Sequence, residues 1–223
     1  MSTLFQVRSF NVGLPVAVAH GAKTIETGIF KTSVSGRVNV HAGGPEGDGQ
    51  ADLIHHGGPD KALCVYFSSH YPYWEERLNC KLEWGSFGEN ITLDGGTERD
   101  LRIGDILTIG SATVQVSQPR QPCFKIGIRH GLPELTVWVQ TTGYTGLYFR
   151  VLEEGAISAG DTASIIERPS HEITVAEANH IYYERKRDIS SIRKLLTTPE
   201  LAASWREALE TRLDKLAHEG EGG

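Results

Sequence analysis

The sequence predicts a mainly β fold, a closed or nearly closed barrel, with a small three-helix α region appended after it. Between about residues 4 and 167 the chain reads as short alternating or apolar runs, punctuated by Gly, Pro and Asn/Asp. After Pro169 the apolar period changes from that of a strand to that of a helix. The expected organisation is therefore a β domain over residues 1–168 and a helical region over residues 169–223.

Each element has its own signal. "GIFKTSVSGRVNVHAGG" alternates, breaks at Gly36 and ends in glycines, and "KALCVYFS" is apolar enough for a fully buried strand. "ENITLDGG" alternates, and "DILTIGSATVQVSQP" reads as a hairpin turning at Gly110-Ser111. "TGLYFRVLEEGAISAGDTASIIER" adds two more strands around glycine turns. One helix is expected among them, over residues 68–79, with Ser68 as its cap. In the C-terminal region, Thr174 and Glu177 form a capping-box pattern, and Ile189, Ile192, Leu195 and Leu196 fall at helical spacing. Thr198 is the expected cap of the last helix, Pro199 its first position, and Leu201, Trp205, Leu209, Leu213 and Leu216 its apolar stripe.

The 223 residues carry a formal net charge of −6, with no long basic cluster, which argues against a nucleic-acid polymer as partner. No apolar run approaches the roughly 20 residues of a membrane span, and the first residues lack a secretion signal, so a cytoplasmic location without membrane attachment is expected. Three scattered cysteines, Cys64, Cys80 and Cys123, do not form a disulfide scaffold or a C-x-x-C zinc site.

Chemistry concentrates in three stretches. In "SQPRQPCFKI" Pro119 and Pro122 stiffen the chain around Cys123, and Arg120 and Lys125 bracket it with positive charge. Nearby cations favour the thiolate, the form that attacks or ligates a metal. The plainer reading is a cysteine buried as a small hydrophobe, a role that suits Cys64 inside "ALCVY". In "IHHGGPDKALCVY" the Gly57-Gly58-Pro59 turn can present backbone N–H groups to an anion, with His55, His56 and Lys61 adding charge; an ordinary exposed turn is the alternative. In "FGENIT" Glu89 and Asn90 precede a strand, where Glu89 serves a ligand or holds a neighbouring loop.

Taken together, "HGGPDKALCVY", "FGENIT", "RIGDILTIG" and "QPRQPCFK" resemble the MOSC domain family, and the order of motifs with three helices behind resembles its bacterial YiiM type. The resemblance implies a barrel that binds the molybdenum cofactor (molybdopterin), with Cys123 as the metal ligand. It places Arg120, Lys61, His55, Gly57, Gly58, Asn90 and Lys125 at the cofactor mouth, with His55 or His56 as proton donor. It further implies reduction of N-hydroxylated compounds such as 6-hydroxylaminopurine, a detoxification. The chain shows no flavin or nicotinamide signature, and no pyridoxal phosphate is expected. Electrons would then come from a separate flavin- or iron–sulfur-containing protein. A sulfur carrier using a Cys123 persulfide, and a non-catalytic cofactor-binding module, are the alternative readings.

Overall fold

The computed structural model describes residues 4–51 and 57–221, so His55 and His56 lie outside the described residues. Its N-terminal half contains strands β1 (Leu4–Val12), β2 (Val16–His20), β3 (Lys23–Thr27), β4 (Thr32–Ser33), β5 (Val38–His41), β6 (Gly44–Pro45) and β7 (Leu63–Phe67), then helix α1 (Tyr71–Leu78). Strands β8 (Ile91–Asp94), β9 (Ile106–Ile109) and β10 (Ala112–Pro119) follow, then helices α2 (Lys125–His130) and α3 (Leu135–Thr142). The chain returns through β11 (Leu147–Glu153), β12 (Gly155–Ile157) and β13 (Thr162–Glu167), and ends in α4 (Val175–Tyr183), α5 (Ile189–Leu196) and α6 (Ala203–Glu221).

Seven strands close a barrel in the order β13-β9-β10-β11-β7-β8-β1, because β1 pairs back onto β13. Closure leaves no open edge among these seven. All pairings are antiparallel except β7 with β8. The β9–β10 hairpin turns at Gly110-Ser111 as the sequence implies, with Ile109 paired to Ala112 and Gly110 at φ 59°. β4 extends β1, β5 sits between β6 and β12, and β2–β3 is a separate hairpin.

Two buried clusters divide the structure. Leu63, Val65 and Phe67 of β7 join the main cluster, which runs through the barrel strands and into α4–α6 by way of Ala178, Ile192, Trp205 and Leu209. Tyr66, on the other side of β7, joins a second cluster with Trp74 of α1, Phe87, Ile126 of α2 and Val139 of α3. The period-two alternation of a strand makes this division, and Cys64 falls on the Tyr66 side. The three C-terminal helices thus share the barrel's own core.

Several expected details differ. Ser68 does not cap a helix: it opens a 3-10 turn and gives its hydroxyl to Asp94, while α1 starts at Tyr71. Thr174 does cap α4, accepting from the Glu177 N–H, but the Glu177 carboxylate pairs with Lys194 instead of closing the box. Thr198 does not start α6. It is fully buried, and the stretch to Ala202 turns against the barrel, where Ala202 N–H donates to the Ser117 carbonyl. The first N–H of α6, that of Ala203, is met by the Asp60 carboxylate from 143 residues away. A cap from so distant a residue leaves no local pattern. Helices α2 and α3 were also unexpected.

Leu209 is fully buried and Leu216 only partly so. Leu209→Ala should therefore cost about 2–5 kcal/mol in denaturant unfolding, and Leu216→Ala under about 1 kcal/mol. Equal losses would show that the α6 stripe is not seated as described.

Candidate functional site

The site forms on the outward side of β7, β10 and β11, beneath α2. β10 carries a register shift between Val116 and Gln118 and then ends at Pro119, paired with Leu147. Such irregularities re-aim a strand where it leaves the sheet. Arg120 N–H is the next donor, to the Gly146 carbonyl at 3.0 Å. Gly146 sits at φ 75°, and a Cβ there would lie 2.1 Å from the Val65 carbonyl, so only glycine permits this approach. Three residues on, the Cys123 carbonyl accepts from Ile126 N–H at 3.1 Å and from the Thr136 hydroxyl at 3.2 Å. The backbone that bears the thiol is thus tied to both α2 and α3.

A small cavity of about 40 Å³ is lined by Cys123, Cys64, Arg120, Lys31, Lys125 and Tyr148. Arg120 is buried at 4% exposure, donates Nη2 to the Phe87 carbonyl at 2.5 Å, and leaves Nη1 buried without a partner among the described residues. Burial works to lower its pKa, but the facing Cys64, Tyr148, Cys123 and Glu89 groups outweigh that and raise it, so the charge is permanent. Lys31 is buried in a short ion pair with Asp48, whose carboxylate also accepts from Gly13 N–H at 2.9 Å and Asn90 Nδ2 at 3.0 Å. Tyr148 stands opposite Cys64 in the β11–β7 register. Burial first, and then the nearby Cys64 group where it ionises at high pH, raises the Tyr148 pKa, and burial likewise raises that of Cys64. Both groups therefore stay protonated at neutral pH.

The cavity brings Cys123, Arg120 and Lys125 together. Gly57 and Gly58 adopt the positive φ that the turn requires, 94° and 84°, and Lys61 is half-buried at the end of the 3-10 turn Pro59–Lys61. That turn is anchored by Asp60, which pairs with Arg150 at 2.8 Å. Asn90 stands behind the cavity: its Nδ2 donates to Asp48 and to the Asn11 carbonyl, and its Oδ1 accepts from Cys64 N–H at 3.0 Å. Both of its donor hydrogens are thus engaged within the protein, which makes it a brace for the wall. Cys64, Lys31 and Tyr148 were missed as site residues. Strand alternation would have separated Cys64 and Tyr148 from their neighbours, but nothing local distinguishes Lys31.

Glu89 takes the loop-holding role. Fully buried, its carboxylate accepts from Gly85 N–H at 2.9 Å, Phe87 N–H at 3.0 Å, the Thr92 hydroxyl at 2.9 Å and, most closely, the Tyr71 hydroxyl. Arg129 donates to the Ile29, Gly85 and Lys31 carbonyls, and His130 Nε2 to the Ser86 carbonyl at 2.9 Å. Loop 85–90 is fixed from every side.

Glu89→Gln turns one acceptor oxygen into a donor facing N–H groups. Hydrogen bonds to a charged group contribute roughly 1.5–3 kcal/mol each, so the variant should lose at least about 3 kcal/mol in chemical unfolding. His130 gives a pH signature. Burial is the main cause lowering its pKa, Arg129 adds to it, and the Ser86 bond opposes it. The unfolded chain therefore takes up the proton first as pH falls. Stability is full above the ordinary value of about 6.5 and declines below it. Between about pH 7.5 and 5, His130→Gln, which keeps a donor for Ser86, should lose less stability than the parent. An unchanged slope would remove His130 from the account.

Residues 52–164 match the MOSC domain, and residues 173–216 match the YiiM-like, 3-alpha helix domain. The chain is 34% identical over 210 residues to the protein YiiM of Escherichia coli (strain K12), covering 93% of this chain and 88% of that one. It is 31% identical over 179 residues to a reductase of Gibberella moniliformis, covering 78% of this chain but 32% of that protein. The crystal structure of YiiM from Geobacillus stearothermophilus superposes with a TM-score of 0.80 at 41% identity, covering 94% of this chain and 99% of that one. A closed seven-stranded barrel, the thiol loop on its outer side and three helices sharing its core place the chain in the MOSC domain family, in the form that carries a YiiM-like three-helix domain.

Proposed function

We propose that the chain is a molybdenum-cofactor-dependent oxidoreductase that reduces N-hydroxylated small molecules to amines. The observation that carries this is Arg120, a permanently charged guanidinium buried beside Cys123 with one nitrogen unpaired. A buried cation without a full set of acceptors costs several kcal/mol, so the cavity suits an anionic group. Lys125 gives it the same sign, while Lys31 is already balanced by Asp48. A thiol is the soft ligand that a molybdenum centre takes, and MOSC membership and the reductase relative agree with a redox role.

The residues fit the cofactor in part. About 40 Å³ has room for a metal centre or one oxyanion, and the pterin body would extend outward over the mouth. When bound, the cofactor supplies a two-electron redox centre. Cys123 would ligate the metal, held still by its doubly bonded carbonyl. Arg120 and Lys125 would neutralise the anionic charge. Cys64, kept protonated by burial, would serve as a neutral wall, and Tyr148 as a proton-bearing donor. Conversion of R–NHOH to R–NH₂ and water consumes two electrons and two protons. The electrons would come from a separate flavin- or iron–sulfur-containing protein. His55 or His56 would relay protons, being suited to the task near neutral pH.

The test is molybdenum and pterin content per chain, with turnover of 6-hydroxylaminopurine driven by a chemical reductant. Cys123→Ser should stay folded but lose turnover by at least about a hundredfold. Lys125→Gln should lower pterin content while leaving the melting temperature within about 2 °C, as expected for a change away from the core. Full turnover in Cys123→Ser would overturn the reading. Persulfide on Cys123 in metal-free protein would favour the sulfur carrier instead, and cofactor without turnover the binding module.

A further inference from the structure

Away from the thiol, a cavity of about 650 Å³ opens between the C-terminal end of α3, residues 97–99 and α4. One wall holds a buried pair, His70 Nε2 and Glu98 Oε2, 2.8 Å apart and each 4% exposed. The Tyr144 ring stacks on His70, with centroids 4.0 Å apart and planes within 8°. The other Glu98 oxygen accepts from Gly146 N–H at 2.8 Å, so this carboxylate is fully engaged. On α4, Asn179 is also buried at 4% exposure and donates Nδ2 to the Thr145 hydroxyl at 3.2 Å. Its Oδ1 is buried without a partner among the described residues. His180 and Tyr183 of α4 line the same space.

A buried amide oxygen left unsatisfied costs about 1–3 kcal/mol, which a donor lodged in the cavity would offset. We propose that this cavity is a second ligand site, for a flat, neutral or cationic heteroaromatic molecule bearing N–H groups. Its volume falls in the small-molecule range. Tyr144, His180 and Tyr183 provide aromatic surface, and Asn179 Oδ1 provides the acceptor. The charge around it also differs in sign from the thiol cavity. Here Glu98 and Glu184 line the space with Arg99, whereas Arg120 and Lys125 line the other, where Lys31 is already paired with Asp48. Oxyanions belong in the thiol cavity and N–H donors in this one.

Two connections join this cavity to the other. The Gly146 peptide receives Glu98 at its N–H and Arg120 N–H at its carbonyl. Helix α3 bonds the Cys123 carbonyl through Thr136 at one end and lines this cavity with Gln140 and Thr142 at the other.

The experiment is a saturation-transfer NMR titration of the full chain with 2-aminobenzimidazole, and with benzoate as the anionic comparison. The amine should bind at least about tenfold more tightly than benzoate, a difference of about 1.4 kcal/mol. Asn179→Leu should weaken it at least about fivefold, and so should His180→Ala, a change at an exposed position of α4 that leaves the core intact. Cys123→Ser should bind it as the parent does. Absence of binding, equal affinity for benzoate, loss of binding in Cys123→Ser, or parental affinity in His180→Ala would each overturn the proposal. Should Asn179→Leu fail to fold, His180→Ala and Cys123→Ser decide the matter.

Discussion

The site depends on one buried carboxylate. Glu89 gathers two backbone N–H groups and two hydroxyls and thereby fixes loop 85–90. That loop presents the Phe87 carbonyl to Arg120, which sets the guanidinium beside Cys123. Next in sequence, Asn90 bonds both the N–H and the C=O of Cys64, so the same loop also sets the opposite wall. A side chain that touches no ligand thus determines where both the charge and the thiols stand. Arg129 and His130, from α2, fasten the loop from above. The helix after the cysteine and the loop before β8 are consequently parts of one rigid unit.

Much of the fold was legible because it rests on local pattern. "KALCVYFS" reads as a buried strand since every residue of β7 is covered, and the Gly110-Ser111 hairpin declares itself through turn chemistry. The C-terminal helices show their stripes. What was not legible rests on packing between distant segments. α3, "LTVWVQTT", is rich in β-branched and aromatic residues, yet burial of Leu135 and Val139 against Tyr66 and Trp74 makes it helical. Asp60 caps α6 from the other side of the sequence, and Lys31 reaches the cavity from a loop with no motif. Cys123 and Arg120 were visible because prolines and charge crowd them. Cys64 was read as mere packing, because a continuous apolar run conceals which residues face outward.

The two thiols of the cavity illustrate how burial assigns roles. Cys64 and Cys123 share the Arg120 guanidinium, but Cys64 is buried in a strand whose environment raises its pKa. An adjacent cation cannot by itself make a reactive thiol when desolvation opposes it. Cys123 stands after the strand has ended, half-buried just before α2, where it lines the cavity. Sequence order reflects the same logic. Proline ends β10, the arginine is buried under the loop, and the cysteine emerges.

The three C-terminal helices are part of the site's support. Asp60 fastens the Gly57–Lys61 turn to Arg150 of β11 and to the first turn of α6. Ser117, just before the thiol loop, bonds both the Asp60 carbonyl and Ala202 N–H. Trp205 and Leu209 sit in the core that the barrel strands also fill. Detaching the helices would expose that apolar surface and release both the Asp60–Ala203 and the Ser117–Ala202 tethers together. Physical continuity of the core, more than any single contact, is why a barrel and a helical bundle act here as one body.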